Sequence, residues 1–189
     1  MALILASSSP RRRELLARLG VTADRIASPD IDETPHKGER PRDYALRMAT
    51  EKARAVPHAP GDIILAGDTS VAVGTRILPQ AHDATSNTAF LKLLSGRRHR
   101  VWSAVAVMDG TGKLRTRLSE SIVRFKPLSD AEIAAYVASG EGIGKAGGYA
   151  IQGRAESLIA WMAGSHSGVM GLPLFETRAL LLTAGIKLG

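Results

Sequence analysis

The stretch that most constrains the fold is the start of the chain. Leu3-Ile4-Leu5-Ala6 reads as a short buried strand, and Ser7-Ser8-Ser9-Pro10 turns it directly into a helix. Ser9 is a natural N-cap and Pro10 a natural first helical residue. Leu15, Leu16 and Leu19 supply an apolar face, and Gly20 stands where a C-terminal cap belongs. Arg11, Arg12 and Arg13 fill the first turn, where the helix dipole disfavours cations by up to ~1 kcal/mol each. A bound anion offsets that cost, because free N–H groups, serine hydroxyls such as that of Ser9 and guanidinium forks all suit phosphate. The bland alternative is three solvated arginines; the adjoining serines favour the anion site.

The length, 189 residues, suits a single domain over 1–189, and 44% apolar residues are enough for a sizeable core. With no cysteine, disulfides and cysteine-based zinc sites are excluded. The first residues carry no basic region ahead of the apolar run, which argues against a signal peptide. Residues 157–175 contain no charged side chain, but glycines, serines, Pro173 and His166 make them too polar and broken to span a bilayer. A cytoplasmic protein without membrane contact is expected. The net charge of +7 favours anionic partners, yet only 4% of residues are aromatic, which supplies few stacking platforms for nucleic acid.

Residues 21–37 are polar and turn-rich around Asp30-Ile31-Asp32-Glu33-Thr34-Pro35. They read either as a solvated acidic loop or as a hold for a hard cation, and this stretch alone does not choose. Residues 41–56 read as a helix with Tyr44, Met48 and Lys52 on an i, i+4 stripe. Lys52 there either snorkels to solvent or neutralises a phosphate in a pocket. After Pro60-Gly61, residues 62–69 read as a central strand with Asp68 at its C-terminal end, where α/β sheets place ligand crevices. A carboxylate in that place serves as general base or metal ligand, against the plainer reading of a turn aspartate; Thr69 adds a hydroxyl.

A hairpin is predicted over 71–78, a helix over 83–95 with Phe90, Leu93 and Leu94 inward, and an antiparallel pair over 101–108 and 113–125. Ser129-Asp130-Ala131-Glu132 is a capping box for a helix ending at Gly140. Within 140–153, Gly142 to Gly147 match G-x-G-x-x-G by letter, but they follow a helix, so a dinucleotide fingerprint is rejected; a P-loop fails at Ser139 and Ala146. What survives is a flexible glycine-rich loop whose Lys145 can meet a phosphate, followed by Gln152 at the start of a strand over 155–163. Gln152 suits the edge of a base, or is an ordinary polar strand-end residue. Residues 164–171 read as a loop with His166 structural or exposed, and 173–184 as the last helix. Cations and carboxylates scattered along the whole chain suit a metal-assisted site for a phosphorylated small molecule.

Taken together, Ser7-Ser8-Ser9-Pro10-Arg11-Arg12, Asp32-Glu33-Thr34-Pro35, Glu51-Lys52-Ala53, Gly67-Asp68-Thr69, Leu94-Ser95-Gly96-Arg97, Lys145-Ala146-Gly147, Ile151-Gln152-Gly153 and Gly171-Leu172-Pro173-Leu174 resemble the motifs of the Maf family, also called septum-formation-inhibitor-like proteins. The resemblance covers nearly the whole chain. It implies an elongated α/β fold like that of inosine triphosphatases, with a central mixed sheet, flanking helices and a ligand cleft. It also implies a nucleoside triphosphate pyrophosphatase using a divalent metal such as Mg2+ or Mn2+. On this resemblance Asp68 is the catalytic carboxylate or a metal ligand, Glu33 a second metal ligand, and Ser9, Arg12, Arg13, Lys52 and Lys145 handle phosphates. Arg11, Thr69 and Gln152 resemble the branch that prefers dTTP and UTP, and a homodimer is suggested.

Two positions depart from the family pattern. Gln80 stands where the family usually has lysine, and Gly144 where an acidic residue often precedes Lys145. Losing a phosphate-facing lysine removes a charge-assisted contact, so either weaker turnover or a shifted preference is expected. Two other readings are a basic nucleic-acid-binding module, against which scattered charges and scarce aromatics count, and a cell-division regulator with a vestigial pocket.

Overall fold

A computed structural model describes residues 1–189. Seven strands form one sheet: β1 (Leu3–Leu5), β2 (Arg25–Ile26), β3 (Ile63–Val73), β4 (Arg76–Leu78), β5 (Arg98–Met108), β6 (Leu114–Phe125) and β7 (Ile159–Ala163). Their order is β2-β1-β3-β5-β6-β7, with β4 paired to β3 beside that path. β1 runs parallel to β2 and β3, and every other pairing is antiparallel, so the sheet is mixed as expected. The helices are α1 (Pro10–Ala17), α2 (Pro41–Ala55), α3 (Ala84–Leu94), α4 (Asp130–Ala138), α5 (His166–Met170) and α6 (Leu174–Thr183). None is long and apolar enough to cross a membrane.

Alternation along the strands splits the interior into two layers. Leu3, Leu5, Ile63 and Leu65 enter a large core with Leu15 of α1, Leu91 of α3, Ile133 of α4 and Leu181 of α6. Each such leucine or isoleucine contributes about 2 kcal/mol by leaving water. Ile4, Ala6, Ile64 and Ala66 face the other way, against Ala45, Ala49 and Ala53 of α2. Three alanines at i, i+4 spacing have nothing beyond Cβ, which lets α2 lie close on the sheet. By the same parity Asp68 follows Ile64 and Ala66 onto the α2 side, while Thr69 points to the opposite side.

One irregularity of the sheet makes the cleft. β1 covers β3 only at Ile63, Ile64 and Leu65, and β4 covers the same edge only from Val71 to Val73. β5 occupies the other edge from Ile64 to Ala72. Residues 66–70 therefore present a bare edge, and side chains from both faces of the strand reach one opening.

Three expectations are corrected here. Asp68 is not at a strand end: β3 continues to Val73, and the polar Asp68-Thr69-Ser70 lies mid-strand because it borders the opening. Residues 155–163 are not one strand. A turn of 3-10 helix (Arg154–Leu158) comes first and only Ile159–Ala163 pairs with β6, so Gln152 lies in a turn rather than at a strand start. Residues 164–171 hold the short helix α5, because the Ser165 hydroxyl accepts from the Gly168 N–H at 2.9 Å and caps it; His166 is exposed there. On α3 the buried residues are Asn87, Leu91 and Leu94, with Phe90 and Leu93 half-buried.

Candidate active site

The bare edge of β3 opens into a cleft of about 680 Å³. Nearly all the residues singled out from sequence line it: Ser9, Arg11, Arg12, Glu33, Lys52, Asp68, Thr69, Lys145 and Gln152. Arg13 does not. Pro10 starts α1, and 100° per residue carries the third arginine round to solvent, so Arg13 is exposed and outside the cleft.

At one end stand the acids. Asp68 is 6% exposed, and its Oδ1 accepts from Lys52 Nζ at 2.7 Å. The same ammonium lies 2.9 Å from Glu33 Oε1. Lys52 therefore points into the cleft rather than snorkelling, and bridges a carboxylate on a strand to one on a loop. Asp68 Oδ2 makes no hydrogen bond within the protein. The Glu33 loop is held to α2 by the Tyr44 hydroxyl, which donates to the Glu33 carbonyl at 2.9 Å. Burial, then the charges of Asp68 and Glu33, pushes the Tyr44 phenol well above its ordinary range.

The cation end begins beside the acids, for Arg12 feels the charges of both Asp68 and Glu33. Ser9 holds the N-cap position of α1, but its hydroxyl makes no capping bond. Ser7 does that local work instead: its hydroxyl accepts from the Ser9 N–H and from Arg12 Nη1, both at 3.1 Å. The main-chain N–H groups of Arg11 and Arg12 have no acceptor in the protein. Arg11 Nε donates to the Met170 carbonyl at 3.1 Å, and Arg12 Nε to the Gly171 carbonyl at 2.8 Å. Each fork is thus anchored by its inner nitrogen, leaving both outer nitrogens of Arg11 and one of Arg12 unpaired. Burial lowers the pKa of both guanidinium groups; the charge of Arg12 adds to this at Arg11, whereas Asp68 and Glu33 work against it at Arg12.

The glycine-rich loop is not free to swing. Ala81 N–H donates to the Lys145 carbonyl, Gly144 N–H to the Ala81 carbonyl and Gly147 N–H to the Pro79 carbonyl, at 2.8–3.1 Å. Gly147 has φ +67°, and a Cβ there would stand 2.7 Å from Val71, so a side chain has no room. Burial and the nearby charge of Arg11 lower the Lys145 ammonium. Gln80 borders the cleft beside this loop, exposed and with its side chain unbonded. Gln152 is likewise exposed with a free amide.

Several supporting residues escaped sequence reading. Ser103 Oγ lies 3.1 Å from Thr69 Oγ1 and donates to the Gly168 carbonyl, so β5 ties Thr69 to α5. Asn87, fully buried, donates to the Gly148 carbonyl at 2.6 Å. His99 and Tyr149, both buried, are joined at 2.8 Å beneath the loop. Asn87 had a sequence signal: an amide one turn before Leu91 on an apolar helix face needs a partner. Ser103 had none, since a serine among strand valines and alanines is unremarkable in sequence.

The donor set suits a hard cation in one specific way. No three acids or histidines cluster, but Asp68 and Glu33 are brought together by the Lys52 ammonium, and Asp68 Oδ2 is left without a partner. A magnesium-type ion takes one or two carboxylates and completes its shell with waters and substrate phosphate oxygens. Chemically, the cleft can hold a polyanion along Arg11, Arg12 and Lys145, with the Asp68 carboxylate close by Arg12.

A family model described as Maf-like protein matches residues 2–184. A Sphingopyxis alaskensis protein named dTTP/UTP pyrophosphatase is 64% identical over 188 residues, covering 100% of this chain and 99% of that protein. Proteins of the same name from Novosphingobium aromaticivorans and Zymomonas mobilis are 63% and 59% identical, each covering 97% of this chain and 92% of its own length. Among solved structures, a HAM1 protein from Coxiella burnetii aligns with a TM-score of 0.52 at 16% identity, over 96% of this chain and 98% of that one. That likeness concerns fold, and it agrees with the inosine-triphosphatase-like architecture that the family resemblance implied.

Proposed function

The chain belongs to the Maf family, and from that premise we propose that it hydrolyses dTTP and UTP to the nucleoside monophosphate and pyrophosphate, acting on the cytoplasmic nucleotide pool. The observation that carries the reading is the shared cleft: Asp68 and the anchored forks of Arg11 and Arg12 border one opening because β3 is bare between β1 and β4. Asp68 has one oxygen held by Lys52 and the other free, which presents it to a water as general base. The water adds to phosphorus, the anhydride oxygen leaves with pyrophosphate, and the proton passes to Asp68. Ser9, the outer nitrogens of Arg11 and Arg12, the free N–H groups of α1 and Lys145 take the phosphate oxygens.

The depressed basicity of Arg11, Arg12 and Lys145 supports this assignment. Each is a cation held partly out of water, and two also feel a neighbouring positive charge; a polyanion relieves both. Gln152 and Thr69 face the base. Uracil and thymine each offer one N–H donor and two carbonyl acceptors, and an amide can answer both kinds. Glu33 and Asp68 would hold a divalent cation, which when bound neutralises charge on the phosphates.

The test is pyrophosphate release across a panel of nucleoside triphosphates. dTTP and UTP should turn over fastest, and Asp68→Asn should lower kcat by about 10³-fold at a temperature where circular dichroism shows the variant still folded. Turnover that survives Asp68→Asn removes the assigned mechanism. No turnover of any triphosphate, with steeply salt-dependent oligonucleotide binding, would favour the nucleic-acid reading instead.

A further inference from the structure

Glu33 reaches Lys52 from a loop, and loops do not hold carboxylates in place unaided. Between β2 and α2 the chain has no regular structure for residues 27–40. Arg47 gathers it onto α2. Its Nε and Nη2 form a fork on Glu39 Oε1 and Oε2, each at 2.7 Å. The same Nη2 donates to the Thr34 carbonyl at 3.1 Å, and Nη1 lies 3.4 Å from Glu51 Oε2, one turn along α2. Glu39 in turn accepts from the His36 N–H at 2.9 Å. The guanidinium also lies 5.6 Å from the centre of the Tyr44 ring, whose hydroxyl holds the Glu33 carbonyl.

We propose that Arg47 is a positioning residue for the acid end of the cleft: its fork fixes residues 33–39 on α2, and that fixed loop sets Glu33 on Lys52 and Lys52 on Asp68. The inference rests on the hydrolytic reading above. Arg47 touches neither Asp68 nor the space a substrate would fill; it acts through Glu33. The ion pair has the geometry for this work. Its two side chains are 18% and 10% exposed, and a two-pronged contact fixes direction in a way a single lysine contact cannot. The pairing also holds Glu39 ionised, its carboxyl pushed down to about 2, so the clamp persists across the pH range in which the enzyme would be assayed.

The experiment is a double-mutant cycle on the full chain. Arg47→Met and Tyr44→Phe are each made alone and on a Glu33→Gln background. Pyrophosphate release from dTTP gives kcat and KM, and amide exchange reports on residues 33–39. Arg47→Met should lower kcat about tenfold with KM within about threefold, and accelerate exchange of 33–39 about tenfold or more. On the Glu33→Gln background it should cost less than about twofold further, because the group it positions is already gone. Tyr44→Phe, which removes one hydroxyl, should follow the same pattern at smaller amplitude, and it decides the matter if Arg47→Met fails to fold. Losses that multiply across the two backgrounds, an effect confined to KM, or unchanged exchange of 33–39 would overturn the proposal. If the unmutated chain releases no pyrophosphate, the hydrolytic reading falls by itself, and the exchange readout alone then supports or overturns the clamp.

Discussion

The two ends of the cleft are built by different means. The acid end is held by side chains on adjoining elements: Lys52 on a helix meets Asp68 on the strand beneath it, 16 residues away in sequence. The cation end is held by main chain. Arg11 and Arg12 are fastened to carbonyls of Met170 and Gly171, in each case 159 residues away. Lys145 rides on a loop pinned through main-chain bonds to residues 79–81. An ion pair between side chains fixes charge and distance together. A carbonyl anchor fixes only where the inner nitrogen sits and leaves the outer nitrogens to a ligand. The first arrangement suits a group that must meet one water, and the second suits groups that must follow a flexible phosphate chain.

The contrast breaks most visibly at the arginines. Arg12→Met should lower kcat/KM by about 10³-fold, equivalent to two charge-assisted contacts of about 2 kcal/mol each, whereas Arg13→Met, next in sequence but outside the cleft, should stay within about twofold. Steady-state kinetics on the pair decides whether carbonyl anchoring, rather than mere position in the first turn, selects the working side chain.

Acid should loosen the support of the cation end next. Burial pushes the His99 imidazole down to about 4 from its ordinary 6.5. The unfolded chain therefore binds a proton between those values that the folded chain refuses. The stability His99 contributes is complete above pH 6.5 and is lost as pH falls toward 4, by up to about 3 kcal/mol. Urea midpoints at pH 7 and pH 4.5 should record the loss, and His99→Gln should shrink the difference between them.

The smallest effect is a gain. Gln80→Lys places a cation beside Lys145, and if the cation end works through accumulated charge, KM for the triphosphate should fall by up to about tenfold at low salt. An unchanged KM would mean that the existing forks already satisfy the phosphates.

This division also explains what could be read from sequence. At the acid end the period of 3.6 placed Tyr44, Met48 and Lys52 on one stripe of α2 but left the direction of Lys52 open, and the unbroken apolar run before Asp68 marked a buried strand without saying which face Asp68 takes. The strand-to-helix start, the hairpin after β3 and the capping box of α4 were legible as local patterns. The open edge was not, because it depends on where β1 and β4 stop, and a polar mid-strand run reads as a strand end. The rotation that takes Arg13 out of the cleft depends on where α1 begins within a single residue. Ser103 became visible only when distant segments met, and Arg47 only when the loop before α2 folded back on the helix. Family likeness brought Glu33 and Asp68 together by name, but it gave no account of what holds the loop between them.

The alanine row on α2 has a consequence for how this chain can drift. Ala45, Ala49 and Ala53 carry no chemistry, yet the span of Lys52 to Asp68 is fixed by how low the helix rides on the sheet. One added branch in that row would raise the whole rod, and the ammonium with it. Substitutions that leave every polar group untouched could then silence the acid. The shortest side chains in the layer thus govern the calibration of the charge pair that holds the acid.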